Sequence, residues 1–185
     1  MQSPEKISPD THSVEEVIEL LGLEELDEEG GYFRRTAGSK VWVKRVMAAG
    51  EQSDQRRAYS IIYFLLTSVG FSAMHRLKTD EVWCWHAGDR IESLRLHQDG
   101  RGEWIRMSDQ VRDLGRVHDV VRESVWQGTR LEAGGRWALV SCIVAPEFHW
   151  DDFELADPVA LAQLYPNYSD DISQLTRVDA VEGKK

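Results

Sequence analysis

Cysteine is nearly absent: Cys84 and Cys142 are the only two in 185 residues, and neither stands in a Cys-x-x-Cys pair or at a metal-ligand spacing. That argues against a disulfide framework. Basic residues are also in deficit, with 22 Lys and Arg against 32 Asp and Glu and a formal net charge of −10. A phosphate-backbone partner needs a basic patch that releases counterions, and a short cluster such as "QRR" at Gln55 to Arg57 is too small to supply one, so no nucleic acid is expected. No apolar run approaches the length of a membrane span, and the start "MQSPEKISPD" lacks the apolar core of a secretory leader. These absences point to a cytoplasmic protein without a membrane partner. No internal repeat or low-complexity linker divides the chain, so one domain is expected.

What is present is enough apolar material for a packed core, 42% of residues, and seven tryptophans. Indoles beside polar groups suit an aromatic-lined cavity as well as a solid core. The run "SVEEVIELLGL" carries Val14, Val17, Ile18 and Leu21 at helical spacing, with Ser13 and Glu16 placed as a capping box. After "EELDEE" (Glu24 to Glu29), read as a solvated acidic face, the pattern changes to short β-rich runs between Gly, Asp and Ser clusters. Strands are expected near Tyr32–Thr36, Val41–Met47, Tyr59–Thr67, Ser72–Leu77, Glu81–His86, Arg90–His97, Glu103–Met107, Val117–Val121, Gln127–Glu132 and Arg136–Ala145. Hairpin-type turns are expected at "AGD" (Ala87 to Asp89), "QDG" (Gln98 to Gly100) and "AGG" (Ala133 to Gly135). Helix returns at the end, with Asp157 capping "PVALAQLYP" and Ser169 capping "DDISQL". The organisation is a mainly all-β protein: a flexible start over 1–12, a helix over 13–22, a sandwich or barrel over 30–155, and short helices and a tail over 156–185.

The stretch "SAMHRLKTDEVWCWHAGD" concentrates the chemistry. Strand alternation puts Glu81, Trp83 and Trp85 on one face and Val82, Cys84 and His86 on the other. A carboxylate flanked by indoles inside a barrel would have a raised pKa unless a cation or metal holds it ionised, which makes it a natural acid or base. A short turn near Lys78 to Asp80 would bring His75 back beside Glu81 across an antiparallel pair. The same two side chains are also metal ligands by type, although a stable site needs more than two. His86 points away from Glu81 and is assigned a structural or rim role. Arg34 and Arg35 face opposite ways on one strand, so only one reaches an interior; Arg34 is placed at the pocket mouth. Tyr63, Trp83, Trp85 and Trp126 are placed as pocket walls, and Cys142 as an inert core thiol.

The spacing of Glu81 and Gly88, with His75 before them, resembles the first motif of the cupin superfamily, roughly Gly-x5-His-x-His-x3-Glu-x6-Gly; Leu77 stands at the second histidine and Gly70 lies one residue off. "RESVWQ" would align with the second motif, placing Arg122, Ser124 and Gln127 where that family has proline, glycine and the last histidine ligand. A resemblance over nearly the whole chain is to the small cupin-five branch, carried by "EGGYFRRT", "YSIIYFLLTSVGFSAMHRLKTDEVWCWHAGD", "ALVSCIVAPEFHWDDFEL" and "LAQLYP". The chain departs from that branch at Glu147, where a glycine commonly follows Ala-Pro, and at Arg122 and Ser124. The resemblance implies a double-stranded β-helix, or jelly roll, with the ligand cavity inside the barrel, and a homodimer. It implies no single reaction.

The expected function is proton transfer on a small organic molecule, carbohydrate-like or a secondary metabolite, as in an isomerase, epimerase or cyclase. His75 and Glu81 would be catalytic; Trp83, Trp85, Tyr63, Trp126, Gln127 and Arg34 would bind substrate; no redox cofactor is required. Two other classes are carried beside it. One is a non-catalytic small-molecule binder with the same pocket, and the other a metal-dependent oxygenase using His75, Glu81 and Gln127, against which Leu77 at the second histidine position counts.

Overall fold

The computed structural model describes residues 6–45, 54–113 and 115–177. A first helix α1 (Val14–Leu21) is followed by β1 (Glu24–Glu25), β2 (Tyr32–Gly38), β3 (Trp42–Arg45), β4 (Asp54–Arg57), β5 (Ser60–Thr67), β6 (Ser72–Leu77) and β7 (Asp80–Gly88). Then come β8 (Ile91–Leu96), β9 (Gly102–Met107), β10 (His118–Val121), β11 (Trp126–Leu131), β12 (Trp137–Ala145) and β13 (Phe153–Leu155), before helices α2 (Pro158–Leu164) and α3 (Ser169–Gln174). Six strands form one sheet in the order β1-β2-β5-β12-β7-β10 and five form a second in the order β13-β6-β11-β8-β9, with β3-β4 a separate hairpin. The main sheets are antiparallel, and the non-sequential neighbours, such as β12 between β5 and β7, are those of a jelly roll.

The central strands of both sheets are covered on both faces, which explains their near-continuous apolar runs, whereas β2 and β10 leave residues exposed. In β5, Phe64 and Leu66 point inward to meet Trp83, Val140 and Cys142 of their own sheet and Ile91, Met107 and Leu131 of the other. Leu65, between them, points outward and packs with Leu139, Trp137 and Ala87 against Val17 of α1. The outer face of the second sheet, with Met74, Leu94, Leu96 and Trp126, is covered by Leu161, Ile172 and Leu175 of the C-terminal segment. Ser13 caps α1 through the expected capping box with Glu16, and Asp157 caps α2 by accepting from the Ala160 N–H. Ahead of α1, Arg136 reaches the Pro9 carbonyl and Asp10, and the Trp137 indole donates to the His12 carbonyl.

Several expectations are corrected. Strands β6 and β7 do not pair: β6 bonds to β11 and β13, β7 to β12 and β10. The turn between them passes from one sheet to the other, as do "AGD" and "AGG", and only "QDG" closes a hairpin, between β8 and β9. Gly88 shows why: with φ of 105°, it lets the chain leave β7 where a Cβ would run into the Trp137 carbonyl. Ser169 is not a cap but the first residue of α3, with Tyr168 at the cap position and the Ser169 hydroxyl donating to Pro166. Strands β1, β4 and β13 were not expected, and the strand expected to run to Met47 is seen over Trp42–Arg45; Val46 and Met47 lie outside the described residues.

Candidate functional site

At one end of the barrel the two sheets part around a cavity of about 200 Å³. Its walls are apolar or aromatic: Leu26, Phe33, Ile62, Leu77, Val144, Phe148, Trp150 and Phe153. Its polar lining is Glu29, His75, Glu81 and Cys142, all turned inward, together with Ser60 and Arg35. Trp150 and Arg35 are about half exposed and mark the mouth.

His75 comes from β6, where the neighbouring Met74 faces the C-terminal helices, so alternation turns the imidazole into the barrel. Its Nδ1 lies 2.7 Å from the Ala73 carbonyl, which only accepts, so Nδ1 carries the proton and Nε2 keeps its lone pair. Among the described residues Nε2 has no hydrogen-bond partner. Phe153 stacks on the ring at 5.1 Å between centroids. Burial lowers the histidine pKa, so the ring is neutral.

Glu81 enters from β7 on the opposite sheet. Its Oε2 accepts from the Trp83 indole at 3.1 Å and from the Gln127 amide at 2.6 Å. Burial pushes its pKa up; His75, Gln127 and Trp83 pull it down, and the nearby Glu29 raises it further. With two N–H donors on Oε2, the proton of the neutral acid resides on Oε1. Gln127 is itself fixed, because its Oε1 accepts from Arg95 at 3.1 Å. Arg95 is buried in the barrel interior, bonded also to Ser93 and facing Asp119 at 3.5 Å.

Glu29 is the residue that sequence reasoning missed. It follows β1 in a loop held by the Ala73 N–H on its own carbonyl and by Arg177 on the Asp27 carbonyl. Gly30, with φ of 102°, turns the chain where a side chain would meet the Phe71 carbonyl. The carboxyl accepts from Ser72 and lies 4.0 Å from His75 Nδ1. Burial raises its pKa to about 7, against smaller lowering by Ser72 and Arg177. The only signal for it was "EGG", a carboxylate before two glycines; the surrounding charge run disguised it.

The structure thus brings His75 and Glu81 to one cavity, though from facing sheets rather than adjacent strands. The other expected residues lie elsewhere. Trp83 is core and works through Glu81, and Trp85 packs on the same core with its indole on the Asp89 carbonyl. Tyr63 and Arg34 are on the outer face, Arg34 stacked over the phenol ring, and Arg35 takes the place at the mouth in an ion pair of 2.9 Å with Glu147. Trp126 faces the C-terminal helices under Arg76, away from the cavity. His86 points outward, as alternation required, and bonds to Ser141 at 2.6 Å.

The expected metal ligands do not fit a metal in this arrangement. Gln127 does not line the cavity with His75 and Glu81: its oxygen accepts from a guanidinium, a cation that works against a metal ion there, and its amide nitrogen faces Glu81. Among the described residues no three His, Cys, Asp or Glu side chains group as ligands. No helix among them is long and apolar enough to cross a membrane.

Because the folded protein keeps a proton on Glu29 that the unfolded chain has released, raising the pH works against folding. Relative to Glu29→Gln, the wild-type protein is expected to lose stability as pH rises from 4.5 to about 7, by up to about 3 kcal/mol. His75, whose lowered pKa gives stability that is lost on acidification, contributes the opposite slope to both proteins. Chemical denaturation at several pH values tests this; parallel curves would remove Glu29 from the titrating groups.

Comparison with known proteins agrees with this geometry. A family model described as "Cupin superfamily (DUF985)" matches residues 15–156. A hypothetical protein from Leishmania major superposes with a TM-score of 0.79 at 29% identity, over 89% of this chain and 99% of that one. A protein from Shewanella oneidensis gives 0.78 and 29%, over 90% and 99%. A cupin 2 domain-containing protein from Halorhodospira halophila shares the fold, with a TM-score of 0.51 and 16% identity over 84% and 88%. No curated protein matches the chain.

Proposed function

Because the chain belongs to this DUF985 family of the cupin superfamily, and its jelly roll encloses an acid and a base in an apolar cavity, we propose that it catalyses proton transfer on a small molecule without a redox cofactor. The observation that carries the reading is the pairing at the inner end of the cavity: a neutral imidazole with a free Nε2 lone pair and a carboxyl whose pKa burial raises. Environments that push two pKa values in opposite directions separate a base from an acid.

For a substrate with a C–H bond next to a carbonyl, His75 Nε2 takes the proton, the C–H electron pair forms the C=C bond, and Glu81 Oε1 protonates the carbonyl oxygen. Return of the enol O–H proton to Glu81 reforms the C=O bond while the C=C electron pair takes a proton on the other face or at another carbon, which completes an epimerisation or isomerisation. Attack of the enol carbon on a second electrophile within the substrate would complete a cyclisation. Glu29, 4.0 Å from His75 Nδ1, is placed to stabilise the imidazolium formed in the first step. The hydrocarbon and aromatic walls favour a compact secondary-metabolite-like substrate over a carbohydrate, whose hydroxyls would be buried without partners. Phe148, Trp150 and Phe153 exclude water above the pair.

The test is solvent deuterium incorporation, followed by NMR, into a panel of small cyclic ketones and hydroxyketones. Incorporation by the wild type that is lost in His75→Ala supports the reading. Saturable binding with no exchange in any member would overturn it in favour of a non-catalytic binder, for which the same apolar enclosure suffices.

A further inference from the structure

We propose that the cavity recognises its ligand as a small apolar ammonium, held by the Glu29 carboxylate with its hydrocarbon part against the aromatic walls, leaving His75 Nε2 and Glu81 Oε1 free for the reaction. The proposal rests on the reading that this cavity is the ligand site and names what enters it.

Arg35 is paired with Glu147 at 2.9 Å; Arg95 faces Asp119 at 3.5 Å and shares it with Arg116; Arg177, bonded to the neutral Asp27 carbonyl, is the cation whose charge bears on Glu29. The two carboxyls that line the cavity are held only by neutral donors, Ser72 for Glu29 and Trp83 with Gln127 for Glu81. Inside an apolar enclosure an ionised Glu29, with a neutral hydroxyl as its hydrogen-bond donor, gains from a ligand that brings a positive charge into direct contact.

Stereochemistry points the same way. An ammonium group presents three N–H donors and no acceptor. The cavity meets it with Glu29, which accepts from Ser72 and has further lone pairs to offer, whereas both lone pairs of Glu81 Oε2 are taken by Trp83 and Gln127. A carboxylate ligand would meet an ionised Glu29 charge against charge. Phe33, Phe148, Trp150 and Phe153 offer ring faces and edges to the stem and to the charge. The net charge of −10 attracts cations over anions at longer range.

Binding of an ammonium would release a proton from Glu29, whose surroundings are Ser72 and His75 from β6, Glu81 from β7 and Arg177 from the C-terminal segment. Glu81 is faced by His75, Trp83, Gln127 and Cys142, with Arg95 and Asp119 beyond the amide; burial raises its pKa and Glu29 adds to the rise. Affinity for an amine should therefore rise with pH through neutrality.

Calorimetric titration with cyclopentylamine, cyclopentanol and cyclopentanecarboxylate on the full chain tests this, in two buffers of different ionisation enthalpy. At pH 8 the amine is expected to bind at least about tenfold more tightly than the alcohol. That preference should shrink several-fold at pH 5.5, where proton release on binding should be evident. Glu29→Gln should cost the amine about tenfold and the alcohol, which brings no charge, several-fold less. If the alcohol or the carboxylate binds as well as the amine, the ammonium preference is overturned while the cavity stands as the ligand site. If none of the three binds, both readings fall. The wild-type series decides the matter even if the variant does not fold.

Discussion

Glu81→Gln is expected to lower proton-transfer turnover by about 10² to 10⁴-fold, the range typical of removing a positioned general acid, while the protein stays folded. The substitution is isosteric, and the new amide can present its oxygen to the Trp83 and Gln127 donors that now reach Glu81 Oε2 at 3.1 and 2.6 Å. What it removes is the proton on the other oxygen. The control is ligand affinity: a loss in kcat with little change in KM for a neutral substrate separates an absent acid from a distorted cavity. Retained turnover in Glu81→Gln would move the acid to Glu29, the only other carboxyl lining the cavity among the described residues.

Trp83→Ala is expected to destabilise the fold by about 3 to 5 kcal/mol, the usual cost of emptying a large buried aromatic site. For a protein of this size that is a fall in Tm of roughly 6 to 20 °C in a thermal melt. Trp83 is 1% exposed, packs edge-to-face on Phe64 at 5.7 Å, and donates its indole N–H to Glu81, so truncation opens a void and removes a donor together. Trp83→Phe separates the two effects. It keeps most of the ring volume and should lose far less stability, while the Glu81 carboxyl, deprived of a donor to its charged form, titrates at higher pH than before. A mild effect of Trp83→Ala would mean that the core collapses around the site, contrary to its dense packing between two sheets.

Both variants depend on side chains that were visible in the same short run, "EVWCW", and the reason is alternation. A strand with one face in the barrel must put Glu81, Trp83 and Trp85 on that face whatever its neighbours, and the outward His86 followed from the same rule. The helix caps at Ser13 and Asp157 were equally legible, since a cap is a bond between residues three apart. Tyr63 and Trp126 were misplaced because the strand of each is buried on both faces. When β5 packs against α1 outside and the other sheet inside, hydrophobicity no longer says which face is the cavity.

Glu29 marks the opposite limit. In "EELDEE" it is one of five acidic residues, and only the contact of its loop with β6, fixed by Ala73 and the bend at Gly30, carries it inward. Arg34 was placed at the mouth where Arg35 stands, because alternation says that the two face opposite ways and only the register of β2 on β5 says which is inside. The turns tell the same story: "AGD", "QDG" and "AGG" each say that the chain reverses, and none says into which sheet.

By itself, then, the sequence determined the strand rhythm, the helix ends, the family resemblance and the inward face of β7, because each is set by local stereochemistry or by period-two alternation. Only the tertiary structure decided that His75 and Glu81 meet across two sheets, that Glu29 joins them, and that Gln127 turns its oxygen to Arg95. Those juxtapositions depend on which strands lie opposite one another, and that is settled by packing the two apolar faces together, a property of the whole chain that no short stretch contains.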